Sequence, residues 1–258
     1  LLAGVQDLVF NLSLRMLGSF PDAEDASQEI LLKVMTHLSG FRKECAFSTW
    51  VFQIASNYLR SYHKHMFAQQ PLSFEFYSYD ILHGHAADLP DQTQNVDRNL
   101  LSEELKYSCT NVMLQCLDAE SRCIFILGTM FRLDSRIAGE ILGLSPEAYR
   151  QRLSRTRKKM AEFLSTYCGA CGSGPCQCSG RVDYAIQTHR LFPNDLPYTA
   201  AQPLHAAVKD AMEQIDDLAQ AFACYKLYAS PAGIRQYITD LLASPLFSAA
   251  TGSRGGMP

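Results

Sequence analysis

Apolar positions recur at helical spacing through most of the chain, and the breaks between the runs set its organisation. Helices are predicted over Val5 to Leu17, Asp22 to Leu38 and Ser48 to His63, with short breaks at 18–21 and 39–47. In the second of these, Ile30, Leu31, Val34 and Leu38 form the buried stripe, while Asp25, Gln28, Glu29, Leu32 and Thr36 lie on other faces. Asp22, just after Pro21, is expected to cap that helix, because acidic groups suit a helix N-terminus. Residues 66–96 mix Gln, Pro, Asp, His and aromatics without periodicity, which predicts a linker with contacts of its own. Helical spacing returns from Asn99 through Leu100, Leu101, Leu105, Val112, Leu114, Leu117, Ile124 and Leu127. It returns again over Tyr198 to Ser244, with Leu204, Val208, Met212, Ile215, Leu218 and Phe222 inward.

The expected fold class is therefore all-α: two small helical bundles joined by a flexible linker, the second a helix-turn-helix, plus a C-terminal helical extension. The expected divisions are residues 1–65, the linker 66–98, the helix-turn-helix module 99–167, a Cys-rich segment 168–181 and the extension 182–258.

The strongest local pattern runs from Asp134 to Lys159, where an apolar helix, a Gly-Leu-Ser turn and a cationic helix follow one another. Two closely crossing helices need a small residue at the crossing and a permissive residue in the turn, and Gly139 and Gly143 stand at those places. On the second helix Tyr149, Leu153 and Met160 recur at spacings of four and seven, which gives one inward stripe. The opposite face carries Glu147, Arg150, Gln151, Ser154, Arg155 and Lys158. Arginine and glutamine match guanine and adenine edges, and a helix fits the major groove, so this face is read as DNA-reading in preference to a merely solvated basic surface.

The chain has 258 residues, a net charge of −3 and a pI near 6.2, so bulk attraction to DNA is excluded and any nucleic-acid contact must come from local patches. Acidic residues crowd at 22–29 and again at 75–104, and the basic run lies at 150–159. Such segregation suits a protein that meets both a basic protein surface and DNA. No apolar run approaches the roughly 20 residues that span a bilayer, and the chain does not open on a signal segment, so no membrane contact and a cytoplasmic location are expected.

Of nine cysteines, Cys45, Cys109, Cys116, Cys123 and Cys224 are scattered in apolar or helical contexts, where a thiol acts as a small hydrophobe. Cys168, Cys171, Cys176 and Cys178 cluster in a Gly-rich turn. Four thiolates there suit a zinc site, although Cys-x-Cys is a less usual knuckle than paired Cys-x-x-Cys, and a thiol-disulfide switch or no ligand are the other readings.

In order and separation these parts resemble bacterial RNA polymerase sigma factors of the sigma-70 family, extracytoplasmic-function (ECF) type. The resemblance is carried by DAEDASQEILLKVMTHLSGFR, FSTWVFQIASNYLRSYHK and EILGLSPEAYRQRLSRTRKKM, and within the type it points to members with a cysteine-bearing C-terminal extension. It implies that Asp22, Glu24, Asp25, Gln28, Glu29 and Leu32 dock on core RNA polymerase. It implies that Arg42, Lys43, Ser48, Thr49, Trp50, Asn57, Arg60 and Lys64 melt and read the minus-ten promoter DNA, a task that uses stacking surfaces. Trp50 by itself reads first as a core residue packing with Ile54. Ser61, His63 and His65 stand where the family carries an acidic residue and more arginine.

The resemblance further implies that Arg150, Gln151, Ser154 and Arg155 read the minus-thirty-five element, with Arg157, Lys158 and Lys159 on its backbone. Core polymerase, promoter DNA and an anti-sigma factor are the implied partners. The polymerase does the phosphoryl transfer, so this chain is expected not to be an enzyme; no cofactor is required beyond the zinc reading. A stand-alone helix-turn-helix regulator with a metal- or redox-sensing Cys-rich domain is the rival reading, and it leaves Asp22 to Lys64 without a role. A helical adaptor or anti-sigma protein is a second.

Overall fold

The computed structural model describes residues 2–62, 72–84, 90–171, 173–201 and 227–243. Its long elements are helices: α1 (Gln6–Leu17), α2 (Phe20–Thr36), α3 (Phe47–Arg60), α4 (Phe74–His83), α5 (Arg98–Gln115), α6 (Ala119–Phe125), α7 (Ser135–Leu142), α8 (Pro146–Tyr167), α9 (Val182–Gln187), α10 (Pro197–Ala200) and α11 (Ala232–Ala243). The all-α expectation holds.

The first three helices form a bundle because each has one apolar face turned to the others. Helix α1 is buried over most of its length, and it ends at Gly18, whose φ of 79° lets its N–H reach back to Leu14 O. The cap of α2 corrects one expectation. Ser19, not Asp22, is the N-cap: its hydroxyl accepts from Asp22 N at 3.2 Å and donates to the Asp22 carboxylate at 2.9 Å, a reciprocal arrangement like a capping box. Leu38 is a second correction. The helix stops at Thr36, and a short 3-10 turn leaves Leu38 38% exposed while Ile30, Leu31 and Val34 are fully buried.

The middle of the predicted linker is also more ordered than its mixed composition suggested. Ser73 caps α4, whose Tyr77 and Ile81 are buried; Tyr77 stacks on Phe163 of α8, and Phe74 meets the same ring at a tilt. Only Tyr77 and Ile81 of α4 are fully buried, so the period is too short to register.

The two bundles are packed on one another, sharing an apolar cluster that runs from Val5 to Ile238. Helix α3 lies against α7, and Phe52 meets Phe131 edge to face at 5.2 Å. Arg122 is the polar weld. Its guanidinium is buried and donates to Met16 O of α1 (2.6 Å) and to Leu114 O (2.9 Å) and Leu117 O (2.8 Å) at the end of α5, so orphan carbonyls of two helix termini share one cation. Burial pulls its pKa down to about 10, which still leaves it charged at neutral pH.

The extension reaches back across both bundles. Asn11 pairs with the Tyr228 backbone as a strand would, donating to its carbonyl (2.7 Å) and accepting from its N–H (2.9 Å), and Ser230 N donates to Asp7 at 2.6 Å. Arg15 of α1 donates to Asn111 of α5 (2.7 Å), and Asn111 donates to the Tyr198 hydroxyl (2.8 Å). Helix α11 packs on α2. The predicted apolar stripe from Leu204 to Phe222 lies outside the described residues.

Candidate functional site

Helix α8 is positioned by its turn. Asp134 caps α7, and Gly143 ends it with a φ of 69° while Leu144 N returns to Gly139 O at 2.8 Å. A side chain at Gly139 would put its Cβ 2.7 Å from Leu144 O, a backbone atom, so the crossing requires the glycine. Ser145 then caps α8, with Pro146 at its first position. Tyr149 and Met160 are buried and Leu153 half-buried, and the Tyr149 hydroxyl donates to Ile124 O at 3.0 Å. Glu147, Arg150, Gln151, Ser154, Arg155 and Lys158 are all exposed on the other side.

The remaining arginines of α8 divide. Arg150 stays on the outer face and donates to Ser135 Oγ at 3.1 Å. Arg152 pairs with Glu120, and Arg157 turns inward to donate to Gly128 O (2.9 Å) and Thr129 Oγ1 (3.1 Å). These carbonyl and hydroxyl groups belong to a π-helical turn, Ile126–Met130, that widens the end of α6. Gly128 within it approaches α8 so closely that a Cβ would fall 2.5 Å from Leu153 Cδ2 and 2.6 Å from the Tyr149 hydroxyl. Nothing in the spacing pattern announced that contact.

A second surface lies on α3. Phe41, Phe47 and Trp50 form an aromatic cluster with centroid separations of 5.3 to 5.9 Å, and Trp50 is half-buried. Beside them Lys33, His37, Trp50, Ile54, Asn57 and Tyr58 line an open groove between α2 and α3. Trp50 thus packs with its aromatic neighbours on one side and borders the groove on the other. Arg42, Lys43 and Asn57 are exposed, Ser48 and Arg60 are half-buried, and Thr49 is buried. Lys43 sits in the left-handed region at φ 61°, turning the chain ahead of α3. Arg60 donates to Asn57 Oδ1 at 2.6 Å. Lys64 lies outside the described residues, as do His63 and His65.

Sequence reasoning missed Lys33, His37 and Tyr58, because the groove exists only where α2 and α3 meet. The acidic row of α2 borders the same region. Asp25 and Glu29 are exposed, and Asp22, Glu24, Gln28 and Leu32 half-buried. Burial first, and then the charge of Glu29, raises the pKa of Tyr58; burial and then Asp22 raise that of Tyr62. Lys33 lies over the Tyr58 ring, 5.6 Å from its centroid. Burial, reinforced by Asp25, also raises the Glu24 carboxyl.

Among the described residues no group of three or more His, Cys, Asp or Glu is arranged to hold a metal. The turn does fold back on itself. Gly169 N donates to Cys176 O (2.9 Å) and Cys176 N to Tyr167 O (3.0 Å), and a Cβ at Gly174 would fall on the Tyr167 backbone. Cys176 and Cys178 line a small pocket with Tyr77 and Cys109, whose thiol lies 2.9 Å from the Tyr77 hydroxyl. Cys168 hydrogen-bonds the exposed Cys171 and lies close enough for its charge to act on Cys109, Cys176 and Cys178 as well. Cys116 and Cys123 are buried as expected for packing residues.

Among the described residues no helix is long and apolar enough to cross a membrane.

The family model for sigma-70 region 2 matches residues 1–65, the part that holds the acidic row and the aromatic groove. The ECF RNA polymerase sigma factor SigW of Bacillus subtilis is 36% identical over 52 residues, 20% of this chain and 28% of that protein. The probable RNA polymerase sigma factor RfaY of Xanthomonas campestris is 28% identical over 167 residues, 62% of this chain and 38% of that protein. The chain therefore spans well under half the length of the curated relatives it matches. Among solved structures, the Bartonella quintana sigma factor RpoE in complex with the anti-sigma factor NepR is 20% identical with a TM-score of 0.40, covering 62% of this chain and 91% of that one. Residues 1–65 thus match sigma-70 region 2, and the two sequence relatives the chain is similar to are both RNA polymerase sigma factors, one of them of the ECF type.

Proposed function

We propose that this protein binds core RNA polymerase and directs it to promoters carrying two separated elements. The observation that carries the reading is the pairing of two unlike surfaces in one chain: the α8 face with six exposed polar side chains, and the α2–α3 groove bordered by Trp50 and an acidic row. The first suits base edges and phosphates of an intact duplex, with Arg150, Gln151, Ser154, Arg155 and Lys158 in contact. Arg157 supports the helix from behind, since its guanidinium is bound to Gly128 and Thr129. The second suits an unpaired strand, where aromatic rings accept stacked bases and Arg42, Lys43, Asn57 and Arg60 meet the backbone. Asp22, Asp25, Glu29 and their neighbours form the polymerase contact. A cytoplasmic site of action and control by an anti-sigma factor follow from the same reading.

The extension acts as an internal brake in this proposal. Helix α11 packs on α2, and Asn11, Asp7 and Arg15 of α1 are engaged by residues 228–230 and, through Asn111, by Tyr198. Polymerase must therefore displace α11 or bind beside it. Packing of α3 on α7 likewise holds the two DNA surfaces in one body, whereas two promoter elements require them apart.

Transcription with core polymerase on a promoter library tests the reading. Initiation at a shared two-element motif is expected, and Tyr228→Ala, which loosens the extension, is expected to raise it. No initiation with either protein would refute the proposal and favour a stand-alone DNA regulator.

A further inference from the structure

Helix α7 starts from a fixed point. The Asp134 carboxylate accepts from Arg136 N at 2.8 Å, and Gly139 admits the close crossing with Leu144 N returned to its carbonyl at 2.8 Å. Ser135, the first residue of α7, is half-buried, so its hydroxyl has a set place beside α8. Arg150 follows 15 residues later in the second turn of α8, where its side chain is exposed and its Nη1 donates to Ser135 Oγ at 3.1 Å. The bond therefore ties the outer face of one helix to the start of the other. Lys158, further along the same face, pairs instead within its own helix, with Glu162 at 3.8 Å.

We propose that Ser135 is a positioning residue for base reading: its hydroxyl holds the Arg150 guanidinium in one pose, so that Arg150 discriminates a single base pair. The inference rests on the proposed docking of the α8 face in the major groove. A free arginine side chain populates many rotamers and loses that freedom when it meets a base edge. A bond already made to a fixed hydroxyl removes part of that loss before binding, and the gain is read as affinity and as selectivity.

The same bond decides which edge of the guanidinium is left for DNA. With Nη1 turned to Ser135, Nε and Nη2 form the remaining two-donor edge. Of the base edges in the major groove, only guanine presents two acceptors side by side, N7 and O6. Adenine sets an amino donor next to its single acceptor, so the same edge meets it with donor against donor. Ser135 carries no charge, and its loss changes discrimination without changing the number of phosphates neutralised.

Two measurements on the full chain separate the role of Ser135 from duplex reading by α8. In the free protein, nitrogen NMR of the arginine side chains is expected to show slower rotation about the Arg150 Nε–Cζ bond than in Ser135→Ala. A duplex selected from a random pool by the native chain, with its single-base-pair variants, is then titrated by fluorescence anisotropy. Ser135→Ala is expected to bind the selected duplex about fivefold more weakly, the size of one net hydrogen bond. Its preference is lost at one G·C pair only, the pair that Arg150→Ala also stops reading. Ser135→Thr keeps the hydroxyl and restores both affinity and preference. Adding Ser135→Ala to Arg150→Ala changes nothing further, and neither the salt slope nor the melting temperature moves. Equal rotation in the native and Ser135→Ala proteins, additive effects of the two substitutions, a loss spread over all base pairs, a changed salt slope, or no rescue by Ser135→Thr would each overturn the proposal. If the native chain selects no duplex, or Arg150→Ala leaves selection unchanged, duplex reading by α8 fails and the role of Ser135 fails with it, whatever the NMR shows.

Discussion

Helices α3 and α8 carry the two surfaces proposed to meet nucleic acid, yet they are built in opposite ways. On α8 the inward stripe and the outward polar face are separate, so Arg150, Gln151, Ser154 and Arg155 project from a helix already held by Tyr149 and Met160. On α3 the same residues serve both ends: Trp50 packs with Phe41 and Phe47 while bordering the groove, and Thr49 is buried outright. A face made of independent exposed side chains tolerates substitution one residue at a time. A face made of half-buried rings couples recognition to stability.

That contrast is sharpest under mutation. Removing both Arg150 and Arg155 by alanine substitution is expected to cost about 1–3 kcal/mol for each base-reading contact, and so to lower affinity for a minus-thirty-five duplex by at least roughly 30-fold in total, with the melting temperature unchanged. Fluorescence anisotropy and thermal unfolding read the two sides. Trp50→Ala is expected to lose about 1–3 kcal/mol of base stacking in single-strand binding and, unlike the α8 pair, to lower thermal stability as well. If Trp50→Ala affects only stability, the platform role is wrong. Arg157→Ala should behave as an α3-type residue in spite of its place on α8, with a stability loss of about 1–3 kcal/mol from its bonds to Gly128 and Thr129 and no change in salt dependence. Lys158→Ala is the smallest of these effects: the salt slope of duplex binding flattens by about one unit, and sequence preference is unaltered.

A pH prediction concerns the extension. Asp80 of α4 receives Arg181 (2.6 Å), Tyr184 (2.7 Å) and Arg190 (2.9 Å). Burial by itself raises its carboxyl, but the Tyr184 hydrogen bond and the two cations outweigh it and hold the pKa below the usual carboxylate range. The stabilisation is thus present above the unfolded carboxylate pKa and lost as pH falls through the lower folded value. Urea unfolding from pH 7 downward should show this loss, and Asp80→Asn should remove that part of the dependence.

The same contrast explains what was legible beforehand. Helices α7 and α8 and the turn between them could be read from spacing because Gly139, Gly143 and the inward stripe act locally, and each stands where the pattern put it. The cap of α2 was misplaced because Ser19 and Asp22 both suit the role, and only the reciprocal hydrogen bonds decide between them. Leu38 was counted in the core because the period continues past Thr36, where the backbone does not. Helix α4, the Arg122 weld and the Asn11–Tyr228 pair were hidden because each depends on partners far away in sequence. The groove residues Lys33, His37 and Tyr58 escaped for the same reason. The cysteines were seen as a group because Cys168, Cys171, Cys176 and Cys178 fall within one Gly-rich turn.

The most direct test of the account is run-off transcription by core polymerase from a two-element promoter, comparing the native chain, Tyr228→Ala and the Arg150→Ala, Arg155→Ala double variant. The account predicts specific initiation by the native chain, more from Tyr228→Ala, and a loss in the arginine variant that is confined to promoters dependent on the upstream element. Absence of initiation from both the native chain and Tyr228→Ala, with duplex binding intact, would contradict it.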